Sequence, residues 1–170
     1  MVIALLGLIL GWGSFVAIGA YIYQELTYDR HHEKYGRIYR VTHNEKAGEI
    51  PGIRHLATVG PPVGPALKAT FPQVEDAVRF RDCGNVIIRR DNIQHYENNG
   101  FYVDPSVFNI FSLKLRKGNP KTALALPNQV VISKAMATKY FGDEDPIGKV
   151  IRMEPDKDLK VTGIFDPLPF

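Results

Sequence analysis

The chain has 170 residues, 45% of them hydrophobic, 11% aromatic and 23% charged, with a net charge of +3 and a single cysteine. Such a composition belongs to a folded protein rather than a low-complexity tract, and the slight positive balance, spread among acidic residues, leaves no nucleic-acid footprint. One cysteine, Cys83, excludes an internal disulfide and a thiolate zinc cluster within one chain.

Residues 1–24 carry no Lys, Arg, His, Asp or Glu, and the first charge is Glu25. As a helix, the apolar run from Val2 to Tyr23 reaches roughly 30 Å, the thickness of a hydrocarbon core. The run predicts a transmembrane helix over 1–24, with Tyr21 and Tyr23 at its exit and Gly7 and Gly11 at a spacing that lets a second helix approach. A cleaved signal peptide is the weaker reading, because no positive segment precedes the run and the run is too long.

Glu25 to Tyr35 reads as a helical continuation stopped by Gly36, and Ile38 to Thr42 alternates as a strand does. Pro61 and Pro62 open a helix with Val63, Leu67 and Phe71 on one face, and Pro72 ends it. Val78 and Phe80 alternate with Arg79 and Arg81, and Val86 to Arg90 pairs with Ile93 to Tyr96 across the Asp91-Asn92 turn. The aromatic-rich stretch from Asn99 to Phe111 predicts a small core around one helical turn after Pro105. A strand at Ser112 to Leu115 and a brief helix at Lys121 to Leu126 follow, separated by Gly118-Asn119-Pro120. Val130 to Ile132 is a buried strand; Ser133 caps a helix with Met136 and Tyr140 on one face, ending at Gly142. Strands at Lys149 to Met153 and Leu159 to Phe165 close the chain, and the class is α+β.

No catalytic or metal constellation emerges. Gly142 to Lys149 has five residues between its glycines where a phosphate loop has four, and Val150 stands where that loop has a hydroxyl residue. As a calcium loop the same run places Ile147 at the fifth ligand position, so an acidic helix-to-strand turn is the better reading. The histidines, His31 and His32 among them, lack metal-ligand spacing, and Ser106, Ser112 and Ser133 lack the glycines of a nucleophile elbow.

The order of blocks resembles the permease subunits of MacB/FtsX-type ABC transporters with a MacB-like periplasmic core domain. The resemblance is carried by the apolar helix, by Gln24-Glu25-Leu26-Thr27-Tyr28-Asp29-Arg30 and by Arg37-Ile38-Tyr39-Arg40-Val41. Further blocks are Pro61 to Lys68, Phe71 to Glu75, Gly100 to Pro105, Phe108 to Ser112, Asn119 to Leu124 and Lys139 to Lys149. It implies an N-terminal fragment: one transmembrane helix, then a two-lobed, incomplete extracytoplasmic domain over 25–170, the first lobe about 25–98, without its returning segment, and the second about 99–170. It further implies a non-catalytic subunit without cofactor in the bacterial inner membrane, the domain on the periplasmic side. Its partners would be an ABC ATPase subunit, a second permease protomer and periplasmic or outer-membrane components. ATP-driven motion would pass through the junction behind the helix, with Tyr28, Asp29, Arg30, Arg37 and Tyr39 as its candidate residues, to export or extract cargo. A membrane-anchored ligand-binding sensor ectodomain is the alternative with the same outline.

Overall fold

The computed structural model describes residues 2–27, 32–46 and 53–166. Helix α1, Val2–Thr27, is apolar throughout, and Leu5–Leu26 is long and apolar enough to cross a membrane, with none of that stretch buried against the protein. The helix ends earlier than the sequence suggests. Gly36 lies inside a short 3-10 helix, Tyr35–Arg37, instead of ending a long one. The cause is visible at Glu33, whose backbone N–H donates to the Ser112 hydroxyl and so is lost to a continuing helix.

The segment 38–42 runs without a strand partner, so its alternation produces no ladder. The first strand is β1, His43–Lys46, antiparallel to β2, Ile53–Leu56, with His43 opposite Leu56. Helix α2, Val63–Thr70, begins after Pro62 and ends at Phe71, whose N–H closes on the Leu67 carbonyl at 2.9 Å. Proline in the opening turn gives up N–H groups that no helix could satisfy there. Strand β3, Phe80–Asp82, pairs antiparallel with β6, Phe101–Val103, as a separate two-stranded sheet.

The hairpin of β4, Val86–Arg90, and β5, Ile93–Glu97, turns at Asp91-Asn92 as its sequence predicts, with Asp91 at φ +51°. It joins a six-stranded sheet in the order β5-β4-β9-β10-β7, with β8 alongside β10. Here β7 is Leu115–Gly118, β8 Gln129–Ser133, β9 Val150–Met153 and β10 Lys157–Phe165. Strand β10 is central: β8 runs parallel to it on one edge, while β9 and β7 run antiparallel to successive parts of it. Between β8 and β9 lies α4, Lys134–Phe141, capped by Ser133 Oγ accepting from Met136 N and released at Gly142 with φ +58°. The sheet takes strands from both sides of residue 98, where the two expected lobes would meet.

Two further expectations are corrected. Strand β7 starts at Leu115, three residues beyond Ser112, because the Ser112 backbone N–H and hydroxyl are engaged elsewhere. Lys121 to Leu126 forms turns rather than a helix: Thr122 and Ala123 both donate to the Asn119 carbonyl, and the Leu126 N–H is taken by the Gln129 side chain. The core lies between α4 and the sheet, built from Ile88, Ile132, Ala137, Tyr140, Phe141, Ile151, Met153, Val161 and Ile164. Helix α3, Val107–Ile110, is the single turn expected after Pro105.

Candidate functional site

Among the described residues, the chain behind α1 holds the folded domain at three successive positions. His32 is the only buried polar or charged residue among the described residues, 8% exposed. Its Nδ1 accepts the Ser112 backbone N–H at 3.3 Å, and its ring stands edge-on to Phe111 with centroids 5.1 Å apart. Next in the chain, Glu33 donates its N–H to Ser112 Oγ at 2.8 Å, and Lys34 Nζ donates to the Asn109 carbonyl at 3.0 Å. Three consecutive residues are thereby fastened to α3 and the segment leaving it.

That segment is itself tied down. Ser106 donates its hydroxyl to the Ala77 carbonyl at 2.7 Å, and Arg79 grips Asp104 through Nε and Nη2, both at 2.7 Å. The Arg79 bond is the main reason the Asp104 carboxyl titrates below its ordinary range. For Asp76, burial pushes the carboxyl up, but hydrogen bonds from Lys68, Asn109 and the Ala77 N–H outweigh it and hold the group low. Phe111 also meets Phe80 edge-on, and Phe80 meets Phe101, so the aromatic contacts continue from His32 into the β3–β6 sheet. These rings line a half-open face rather than the closed small core the sequence suggests, since Phe80 and Phe101 are each more than half exposed.

The residues expected at the junction fall in different places. Tyr28, Asp29 and Arg30 lie outside the described residues. Arg37 closes the 3-10 helix and pairs with Glu75 at 2.7 Å, both side chains largely exposed. Tyr39 is 83% exposed on the unpaired segment. Gly7 and Gly11 lie on α1 with open space where a side chain would extend. Sequence reasoning reaches none of the roles of His32, Asn109 and Ser112: it sets the histidines aside for lack of metal-ligand spacing, reads Ser112 as the start of a strand and as a serine without a nucleophile elbow, and reads the stretch from Asn99 to Phe111 as a small core. The available signal was a histidine next to the span and a polar pair, Asn109 and Ser112, set among apolar residues.

Outside the junction most of the charged groups pair with one another, although the buried Arg152 Nε has no hydrogen-bond partner. Glu144 receives Arg90 at 2.8 Å and also Lys149, and these bonds, that of Lys149 foremost, bring its carboxyl down to about 2. Asp145 accepts from Lys117 and from the Ile147 N–H, as an acidic helix-to-strand turn requires. The basic hollow beside it is charge-balanced, with Arg89 on Glu154 and Arg152 on Asp156. The three serines considered as nucleophiles are all engaged in structure: Ser133 as a helix cap, Ser106 as a donor to Ala77, Ser112 as the receiver of Glu33.

A helix of membrane-spanning length followed by an α+β domain that holds the chain behind it is the outline of a membrane-tethered domain. The chain belongs to the family of MacB-like periplasmic core domains, whose model matches residues 1–170. A solved domain of a Porphyromonas gingivalis protein described as a permease superposes with a TM-score of 0.63 at 26% identity, over 75% of this chain. This chain spans 54% of that structure's length. The periplasmic region of MacB from Actinobacillus actinomycetemcomitans gives 0.47 at 18% identity, over 55% of this chain and 44% of its own. The extracellular domain of the noncanonic ABC-type transporter YknZ from Gram-positive bacteria gives 0.49 at 19% identity, over 61% of this chain and 55% of its own. No curated protein matches the chain.

Proposed function

We propose that this chain is the extracytoplasmic portion of a permease that passes ATP-driven motion across the bacterial inner membrane to export or extract cargo. In this reading residues 1–24 lie in the bilayer and residues 25–170 form a two-lobed domain on the periplasmic side. ATP hydrolysis belongs to a separate ATPase subunit, and a second permease protomer, with periplasmic or outer-membrane components, completes the assembly. The chain itself catalyses nothing.

The observation that carries the proposal is the fastening of His32, Glu33 and Lys34 onto Asn109 and Ser112. Coupling over distance needs discrete, packed contacts between a moving element and the body it moves. Here a displacement of the chain behind α1 is delivered to α3, and from α3 through Ser106 and Asp104 to the strand segment at Ala77 and Arg79.

The test is reconstitution of the permease that carries this domain with its ATPase. Ser112→Pro removes the N–H that His32 accepts; it is expected to lower cargo movement per ATP hydrolysed while the complex stays assembled. A permease that neither binds an ATPase nor alters its turnover would overturn the proposal.

A further inference from the structure

We propose that the hollow beside the β4–β5 turn is a binding site for a phosphate monoester, gripped by Arg89 and Arg152. It stands apart from the junction behind α1 and does not depend on the permease reading. Strands β4 and β9 pair at Ile88–Met153 and Arg89–Arg152 and then part. A hollow of about 610 Å3 opens there, lined by Arg89, Arg90 and Asp91 from one strand end and by Gly148, Lys149, Val150 and Arg152 from the other. That volume suits a small organic phosphate or a headgroup rather than a bare ion.

Two observations point to an anion. Arg89 and Arg152 are directly opposed on neighbouring strands, on the face turned away from the core, which Ile88, Ile151 and Met153 fill from the other face. Like charges so placed destabilise a sheet, and an anion between them makes the same contact favourable. The second observation is the buried Arg152 Nε, which has no hydrogen-bond partner, while Asp156 accepts from Nη2 at 2.9 Å. Arg79 shows a satisfied fork in the same protein, with Nε and Nη2 both on the Asp104 carboxylate. The Arg152 fork is half used, and its complement is an oxyanion that meets both nitrogens.

The surrounding charges fit. Asp91 is the only acid in the lining and its side chain is 82% exposed. The acids that balance the cations stand outside the lining: Glu154 on Arg89, Asp156 on Arg152, and Glu144 on both Arg90 and Lys149. Asp158 stands opposite Arg152 on β10, yet the guanidinium turns to Asp156 instead. Asp156 is 88% exposed, and exposed pairs contribute little, so Arg152 exchanges it for the ligand and turns Nε into the hollow as it does so. Arg90 is a fixed wall, donating to the Tyr140 carbonyl at 2.7 Å with its guanidinium 4.1 Å from the centre of the Phe141 ring. A phosphate monoester brings about two negative charges and three acceptor oxygens, enough to meet both guanidinium groups at once. A carboxylate brings one charge and fewer oxygens.

Calorimetric titration of the full chain in a non-ionic detergent, at fixed ionic strength, tests this with inorganic phosphate, glycerol 3-phosphate and dihexanoyl phosphatidic acid. At least one of the two esters should bind saturably and more tightly than inorganic phosphate. Tighter binding of glycerol 3-phosphate assigns a soluble phosphate ester; tighter binding of the phosphatidic acid assigns a lipid headgroup. Arg152→Lys keeps the charge and removes the fork, so it should weaken the ester about tenfold or more, the scale of a charge-assisted hydrogen bond. Arg89→Gln should weaken it at least as much. Arg116→Gln removes a cation from β7, at the far end of β10, and should bind as the parent does. No saturable ester binding, or undiminished binding in Arg152→Lys, would overturn the site. Equal weakening in Arg116→Gln and Arg152→Lys would reduce it to attraction by net charge and overturn it as well.

Discussion

Tyr140, 1% exposed on α4, donates its hydroxyl to Glu97 Oε1 at the end of β5 across 2.8 Å, and the same oxygen receives Lys139 Nζ at 2.6 Å. The Ile88 carbonyl lies 3.3 Å from the hydroxyl as a second acceptor. This contact joins elements 43 residues apart in the chain and holds α4 against the β4–β5 hairpin. Burial and the neighbouring carboxylate together raise the Tyr140 phenol well above its ordinary range. Tyr140→Phe keeps the ring and removes the donor, leaving Glu97 to Lys139 alone. The expected cost is about 1–3 kcal/mol, the range for a partly buried acceptor that loses a partner. A denaturant midpoint unchanged from the parent would show that the bond contributes nothing.

The carboxylates set the acid limit of the fold. Burial pushes Glu97 up, but the bonds from Lys139 and Tyr140 outweigh it and hold the group low; Asp104 is held low chiefly by Arg79, and Glu144 is brought to about 2 by Lys149 and Arg90. Each has a folded-state value below its unfolded one. Their stabilisation is therefore complete above the unfolded carboxylate values of about 4 and is lost as pH falls through the lower folded values. Denaturant midpoints should be flat above about pH 5 and decline below about pH 4, and Asp104→Asn should show a shallower decline. The same slope in that variant would mean that the Arg79 pair has no part in it.

Gly118 ends β7 at φ +100°, and a Cβ there would stand 2.4 Å from the Thr162 carbonyl oxygen and 2.8 Å from Gly163 Cα, both backbone atoms. Neither neighbour can yield without moving the centre of β10. Gly118→Ala should therefore destabilise by at least about 1–3 kcal/mol from the backbone conformation alone, read as a lowered Tm. Gly142→Ala is the comparison. It shares a positive φ but has open space around the missing Cβ, so it should lose less.

The sequence disclosed those parts of the fold whose signals are local. The β4–β5 hairpin, the Ser133 cap, the Gly142 stop and the proline-led start of α2 each depend on two or three neighbouring residues, and each was legible. Elements whose limits are set by distant partners were misplaced. Ile38 to Thr42 has the alternation of a strand and no ladder to join, and β7 begins late because Ser112 is held by His32 and Glu33, some 80 residues away. The candidate site was hidden for the same reason. No local pattern marks a histidine that accepts a backbone N–H from another part of the chain, whereas Arg37, chosen for its position behind the span, did find a partner in Glu75.

Gly11 lies near the middle of α1, with open space around it, so a side chain there would not clash within the protein. Any effect of Gly11→Arg would come from the surroundings of the helix. In a bilayer a central arginine costs about 2.5–3.5 kcal/mol on insertion scales, and the variant should shift from the membrane fraction to a carbonate-extractable or degraded form. Undiminished membrane retention would argue against 1–24 as the span.

Arg37 and Glu75 separate mechanical from thermodynamic importance. Both side chains are about two-thirds exposed, and an exposed ion pair contributes at most about 1 kcal/mol. Arg37→Glu should therefore leave the Tm of the domain nearly unchanged. It also sets two carboxylates against each other where the 3-10 helix meets the segment after α2, loosening the stretch that follows the His32 fastening. In the reconstituted permease and ATPase this variant is expected to retain complex formation and ATP hydrolysis but to move less cargo per ATP. The double variant Arg37→Glu with Glu75→Arg restores the pair in reverse and should recover most of that coupling. Recovery would assign the effect to the contact; a double variant as uncoupled as the single one would show that Arg37 acts through some other partner.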